Sequence, residues 1–344
     1  MGTTLKVGII GCGMIAQRLH VPDIYTCGMG ELTAFCDLIP AKAQALAAQY
    51  GAGAKVYTDY RALLRDDRVE AVVVALPNVL HGPVTIAAAK AGKHVLVEKP
   101  MATSLAEAQR MIDAAKRAGT KLMVNQSQRL FPEHRKAREV VASGILGKIL
   151  HVSAMFGHAG PEHWSPAGKW FFRKKQARFG AMADLGVHKA DLVRFLTGKE
   201  VAEISAFHER LEKKNSDVED NFVSCLKFAD GTLGTLSASW TVKGASAEYT
   251  FLHCENGTLR VSVVPGKPVI ANLVSPECEI VFEPPAPVVR YPGSWGIDAG
   301  GAFVRAVLGL QEPYCTGEEG RKALAIILAA EKASLTGRRV RVPH

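Results

Sequence analysis

Three observations predict an α/β half followed by an α+β half. Apolar strand-like blocks alternate with helical stretches up to residue 126, a glycine-rich turn directly follows the first block, and two Asp-Gly or Asn-Gly hairpins lie further on. The first half reads as a parallel sheet covered by helices, the second as a mostly antiparallel open sheet with a few helices. At 344 residues the chain has room for two domains, each with its own core, and we divide it into residues 1–126 and 127–344.

The blocks are KVGII, ELTAFCD, VEAVVVAL, KHVLVEK and KLMVNQ, short aliphatic runs of the kind buried on both faces of a sheet. Helical stretches such as PAKAQALAAQY and SLAEAQRMIDAAKRAG separate them. In the latter, Ser104 and Glu107 fit a capping box and Gly119 stands where the helix should stop. Strict alternation implies right-handed crossovers and parallel strands. Residues 71–89 are uncharged and long enough to span a bilayer, but Pro77, Asn78, His81, Gly82 and Pro83 break them into strand, loop and helix. Beyond Gln126 the pattern predicts helices near 131–143 and 182–196. LKFADGTLGTLSA and FLHCENGTLRVSV then read as hairpins, and GEEGRKALAIILAAEKASLTG as a helix ending at Gly337.

Composition narrows the function. With 48% apolar and 22% charged residues, disorder and fibrous repeats are excluded. The net charge of +9 is scattered, and its densest clusters, 129–138, 173–178 and 338–341, are short and lack interleaved aromatics, so no nucleic-acid partner is expected. No export signal and no membrane segment are expected either. Seven cysteines make no CxxC pair and leave an odd number, which fits a reducing cytoplasm and no metal site.

Residues 11–16, GCGMIA, follow the first strand and open the first helix. This is GxGxxG with Ala16 in the third place, the mark of a Rossmann dinucleotide-binding domain. Gly11 makes the tight turn and Gly13 lets a pyrophosphate approach the helix start, where Met14 and Ile15 add cofactor contacts. Asp37 ends the second strand, where an acid accepts hydrogen bonds from ribose hydroxyls and repels a 2′-phosphate. NAD is therefore favoured, with Lys42 near enough in sequence to keep NADP open. Cys12 lies at the same helix start, where a thiol can be activated; a small residue between two glycines is the plainer reading.

The nicotinamide half should lie over the carboxyl ends of the strands, near Pro77-Asn78 and Glu98-Lys99, with Gln126 ending the last block. Removing hydride from an alcohol needs a group that takes the hydroxyl proton and one that holds developing negative charge. Lys99 suits either role. In AMADLGVHKADLVRFL, Asp184 and His188 stand four apart on one helical face, the pairing that orients an imidazole.

VGIIGCGMIA, LPNVLHGPVTIAAAKAGKHVLVEKPMA and DLGVHKAD together resemble the Gfo/Idh/MocA oxidoreductases, over the whole chain and most specifically at AxxAGKHVxxEKP. The resemblance implies a catalytic set of Lys99, Asp184 and His188, with Asn78, His81 and Glu98 beside the nicotinamide and a cis Lys99–Pro100 bond. His188 or Lys99 serves as the base. It also implies a sugar, cyclitol or polyol substrate and a homodimer or homotetramer formed through the β-rich half. His158, Glu162, His163, Trp164 and Trp170 lie in the loop before Asp184, and His163, Trp164 and Trp170 join Lys99, Asp184 and His188 as substrate contacts. Where many members carry three glycines, this chain has Phe179-Gly180-Ala181, a change expected to reshape the pocket. Arg173, Lys174, Lys175 and Arg178 read as an anion site or a solvated run. Two other functions stay open: an NAD-dependent glycosidase with an internal redox cycle, and a non-catalytic NAD-binding regulator.

Overall fold

The computed structural model describes residues 4–262, 268–283 and 291–343, which divide into two compact units. The first takes its residues from 1–130 and 287–321, the second from 131–286 and 322–344.

The first unit carries a six-stranded parallel sheet. Its strands are β1 (Leu5–Ile10), β2 (Gly30–Cys36), β3 (Lys55–Tyr57), β4 (Ala71–Val74), β5 (His94–Val97) and β6 (Leu122–Val124), in the order β3-β2-β1-β4-β5-β6. The winding reverses between β1 and β4, so the loops after these strands flank the crevice where doubly wound sheets bind ligands. All four residues of β4, and Val95, Leu96 and Val97 of β5, are fully buried, as central strands covered on both faces must be. Residues 71–89 divide as predicted into β4, a loop and most of helix Asn78–Lys90. At helix Leu105–Ala118 the Ser104 hydroxyl accepts from the Glu107 N–H (3.2 Å). The Glu107 carboxylate accepts from the Thr103 N–H and hydroxyl (2.9 and 3.0 Å), and Gly119 closes the helix at φ 67°.

Helix Ala299–Val307 also belongs to this unit. Phe303, Val304 and Ala306 are buried in one cluster with Leu5, Ile24, Leu32 and Phe35, and the Cys315 carbonyl accepts from the Val124 N–H beside β6. A division at 126/127 places residues 291–321 with the second half, whereas they cluster with the first. An amphipathic helix reads alike whichever core it meets, so the sequence carried no mark of this return.

The second unit holds a nine-stranded sheet of β7 (Ile149–Gly157), β8 (Val201–Glu209), β9 (Asn221–Phe228), β10 (Leu233–Ser239), β11 (Ala247–Cys254), β12 (Gly257–Ser262), β13 (Val269–Val274), β14 (Glu277–Phe282) and β15 (Val340–Arg341). The order is β14-β13-β12-β11-β7-β10-β9-β8-β15, antiparallel except for β7 with β10. The two predicted hairpins are β9–β10 and β11–β12. Buried and exposed residues alternate along β9 and β10, the pattern of a sheet with one covered and one open face. Helices Pro132–Ala142 and Val187–Thr197 pack on strands of this sheet. Helix Gly317–Thr336, inside which the boundary at 321/322 falls, buries Leu324, Ile326, Ile327 and Ala330 and ends at Gly337, φ 63°. The open face exposes Phe207, Val223 and Leu233 (74, 53 and 55%). Among the described residues no helix is long and apolar enough to cross a membrane.

Phe303→Ala removes a ring from the first core and is expected to cost about 3–5 kcal/mol in urea unfolding. A loss below about 1 kcal/mol would detach helix Ala299–Val307 from that core.

Candidate active site

The glycine turn follows β1. Gly11 adopts φ 95° and donates its N–H to the Cys36 carbonyl (2.8 Å); a Cβ there would run into the Ala75 carbonyl. Gly13 differs. Its backbone is not left-handed, and a Cβ would meet nothing within 4 Å. Neither strain nor crowding within the protein calls for glycine at 13, whereas a phosphate docked on the turn does. Met14 and Ile15 form the first helical turn, so its free N–H groups and positive end point at that open space. Ala16, in the third place, is fully buried, and residues 16–20 wind as a π turn.

Asp37 braces the turn from the end of β2. Its Oδ2 accepts from the Cys12 N–H and its Oδ1 from the Ile39 N–H, both 2.9 Å. Burial, then the Asp37 charge, pushes the Cys12 thiol up to about 12, so Cys12 is packing and not a nucleophile.

At the end of β5, Glu98 is buried and Lys99 half-buried, and the Lys99–Pro100 peptide is cis. Glu98 Oε1 accepts from His20 Nε2 (2.7 Å) and Asn125 Nδ2 (2.6 Å), and Oε2 accepts from the Lys99 N–H (3.1 Å). The Tyr314 hydroxyl donates to Asn125 Oδ1 (2.8 Å). Burial alone would raise the Glu98 pKa; the hydrogen bond and charge of His20, then Lys99 and Asn125, more than offset it and hold the carboxyl below its usual range. Asp23, with burial its main influence, is pushed up to about 6. His81 is buried, with Nδ1 against the Pro100 carbonyl and Nε2 against that of Leu76, both 2.7 Å; burial lowers its pKa. It thereby ties the loop after β4, with Pro77 and Asn78, to the turn that presents Lys99. Gln126 is buried beyond β6 with its Oε1 lacking a hydrogen-bond partner, an acceptor left for a bound group. Gly13, Asp37 and Gln126 together fit a dinucleotide.

The other predicted residues lie in the second unit. Residues 182–186 form a π turn leading into helix Val187–Thr197, a local widening often met at functional sites. Asp184 is buried, and its Oδ2 accepts from Trp240 Nε1 (3.0 Å) with His158 Nε2 at 3.9 Å. His188 is half-exposed, its ring 6.0 Å from that of Phe156, which also meets His158 at 6.1 Å. In the preceding loop Trp170 stacks on Phe171 (3.9 Å), Trp164 meets the same ring edge-on (5.3 Å), and His163 is exposed. Glu162 pairs with Lys213 (2.6 Å), and among the described residues no group of three ligand side chains could hold a metal. Arg178 is bound bidentately by Glu331 (2.6 and 2.9 Å) and lies 4.4 Å over Phe179, which removes it from the anion reading; Lys174 and Lys175 are exposed. Phe179 and Ala181, expected to reshape a pocket, are both buried in this unit's packing.

His20, Asn125, Tyr314 and Trp240 carry no mark in the sequence of the contacts they make. Their partners lie 27 to 189 residues away, with no period or motif to join them.

The sheet order and the glycine turn define a dinucleotide-binding protein. Residues 5–126 match the oxidoreductase family with an NAD-binding Rossmann fold, and residues 134–260 match the GFO/IDH/MocA C-terminal domain. The 1,5-anhydro-D-fructose reductase of Ensifer adhaerens is 31% identical over 331 residues, 96% of either chain. The aldose-aldose oxidoreductase of Caulobacter crescentus, solved with glycerol, gives a TM-score of 0.84 at 27% identity over 98% of this chain and 99% of that one. The WlbA dehydrogenase of Bordetella pertussis, solved with NADH and UDP-GlcNAcA, gives 0.86 at 25% identity over 100% and 99%. The chain belongs to the Gfo/Idh/MocA oxidoreductases. None of these relatives is by name a glycosidase or a regulator, so neither alternative gains support.

Gly13→Ala is expected to leave the unfolding midpoint nearly unchanged while weakening NAD binding at least tenfold in a fluorescence titration, whereas Gly11→Ala should lower both. Equal NAD affinity for wild type and Gly13→Ala would show that nothing docks on that turn.

Proposed function

We propose that the protein transfers hydride between NAD and a secondary alcohol of a sugar, cyclitol or related polyol, with Lys99, Asp184 and His188 serving that one reaction. The observation that carries the reading is the support each receives locally. Lys99 leaves a turn fixed by Glu98 and His81, Asp184 is held by the Trp240 indole, and His188 opens the helix that follows. The EKP and DxGxH motifs join them. The named relatives, an anhydrosugar reductase and an aldose-aldose oxidoreductase among them, support the substrate class.

The nicotinamide, when bound, supplies the hydride acceptor, or the donor in the reverse direction. His188 takes the hydroxyl proton, the Lys99 ammonium stabilises negative charge growing on the oxygen, and Asp184 orients hydroxyl and imidazole. Trp164 and Trp170, gathered on Phe171, offer apolar faces to the C–H groups of a sugar ring, with His163 as a polar contact. Asn78 and Gln126 follow β4 and β6 at their carboxyl ends and serve the cofactor. Asp37 favours NAD, and the exposed Leu38 beside it brings no cation for a 2′-phosphate. The exposed Phe207, Val223 and Leu233 support association through this sheet face into a homodimer or homotetramer. Among the described residues no disulfide is formed, in keeping with the cytoplasm.

Lys99→Met is expected to cut turnover about 100-fold or more, read as NADH absorbance with a sugar substrate, with little change in NAD affinity. Near-normal turnover would remove Lys99 from the reaction.

A further inference from the structure

Three consecutive amides just ahead of Asp184 are all held by one residue. Glu219, buried next to the start of β9, accepts through Oε1 from the Gly180 N–H (2.7 Å) and the Met182 N–H (3.0 Å). Its main-chain carbonyl accepts from the Ala181 N–H between them (3.1 Å). Gly180 is glycine because of this contact, since a Cβ there would run into that same carbonyl. The Asp184 N–H donates to the Gly180 carbonyl (2.9 Å), so the backbone under Asp184 hangs from the clamped turn. The next residue holds the opposite side: the Asp220 carbonyl accepts from the main-chain N–H of Trp240 (2.8 Å), whose indole grips the Asp184 carboxylate. The pair 219–220 therefore sets both the chain that carries Asp184 and the donor that orients it.

We propose that Glu219 is a positioning residue for Asp184, acting through the amides of residues 180–182 without touching substrate or cofactor. The inference rests on the reading that Asp184 serves the reaction. Burial pushes the Glu219 carboxyl up to about 7, against the pull of its amide donors and aided by the charge of Glu331, which Arg178 partly compensates. The ordinary value is 4.5, so between about 4.5 and 7 the folded protein keeps a proton that the unfolded chain loses, and stability falls as pH rises through that window. Both protonation states retain an acceptor oxygen for the two amides, so the clamp persists across it.

The test joins amide hydrogen exchange to a double-mutant cycle in the full-length enzyme. Glu219→Ala is expected to speed exchange at residues 180–182 and to lower kcat about tenfold or more, but to cost less than about twofold when Asp184→Asn is already present. Glu219→Gln, which keeps the acceptor, restores most of kcat and raises the urea midpoint over wild type at pH 8 but not at pH 5. The same loss of kcat with and without Asp184→Asn, or unchanged exchange at 180–182, would overturn the proposal. If Glu219→Ala does not fold, Glu219→Asp, which withdraws the carboxylate by one methylene, takes its place in the same cycle. If Asp184→Asn alone leaves turnover intact, the assignment of Asp184 fails, and the exchange measurement by itself decides the clamp.

Discussion

A carboxylate sealed inside a protein must gather donors or take up a proton, and the first unit is arranged around one that gathers donors. Glu98 draws His20 from the helix behind the glycine turn, Asn125 from the end of β6 and the Lys99 amide from its own turn. Tyr314, on the segment that returns after residue 287, completes the set through Asn125. Removing a donor would leave a buried charge short of partners, a penalty of a few kcal/mol, so cofactor turn and lysine turn are fixed relative to each other. His81 adds a second tie between Leu76 and Pro100.

The second unit uses a buried acid differently. Among the described residues Glu219 faces backbone amides without an ion pair, and desolvation wins, so its carboxyl rises where that of Glu98 falls. An acid that becomes neutral can still hold N–H groups, which suits a structural clamp. An acid held ionised by an imidazole suits a site where charge must stay put. In both units the group proposed to meet substrate is separate from the buried carboxylate that steadies its backbone.

Much of this was legible in the sequence because it rests on local pattern. The aliphatic blocks, the glycines at 11 and 13, the acid at 37, the capping box at 104–107 and the two hairpin turns each declare themselves within a dozen residues, and the structure has them all. The return of helix Ala299–Val307 to the first core and the π turn at 182–186 could not be read this way. Nor could the partners of Glu98 and Asp184, since side chains 56 or 78 residues apart meet only once the topology is built. The change from three glycines to Phe179-Gly180-Ala181 also reads differently in three dimensions. Only Gly180 meets a backbone atom that forbids a side chain, and its neighbours fill the core.

In the proposed reaction hydride passes directly between a sugar carbon and the nicotinamide. A sugar or cyclitol deuterated at its carbinol carbons, incubated with the enzyme and NAD, tests this by mass spectrometry of the dinucleotide. Direct transfer yields NADH carrying one deuterium per turnover. NADH free of deuterium, or deuterium released to water with no reduced dinucleotide formed, would contradict it.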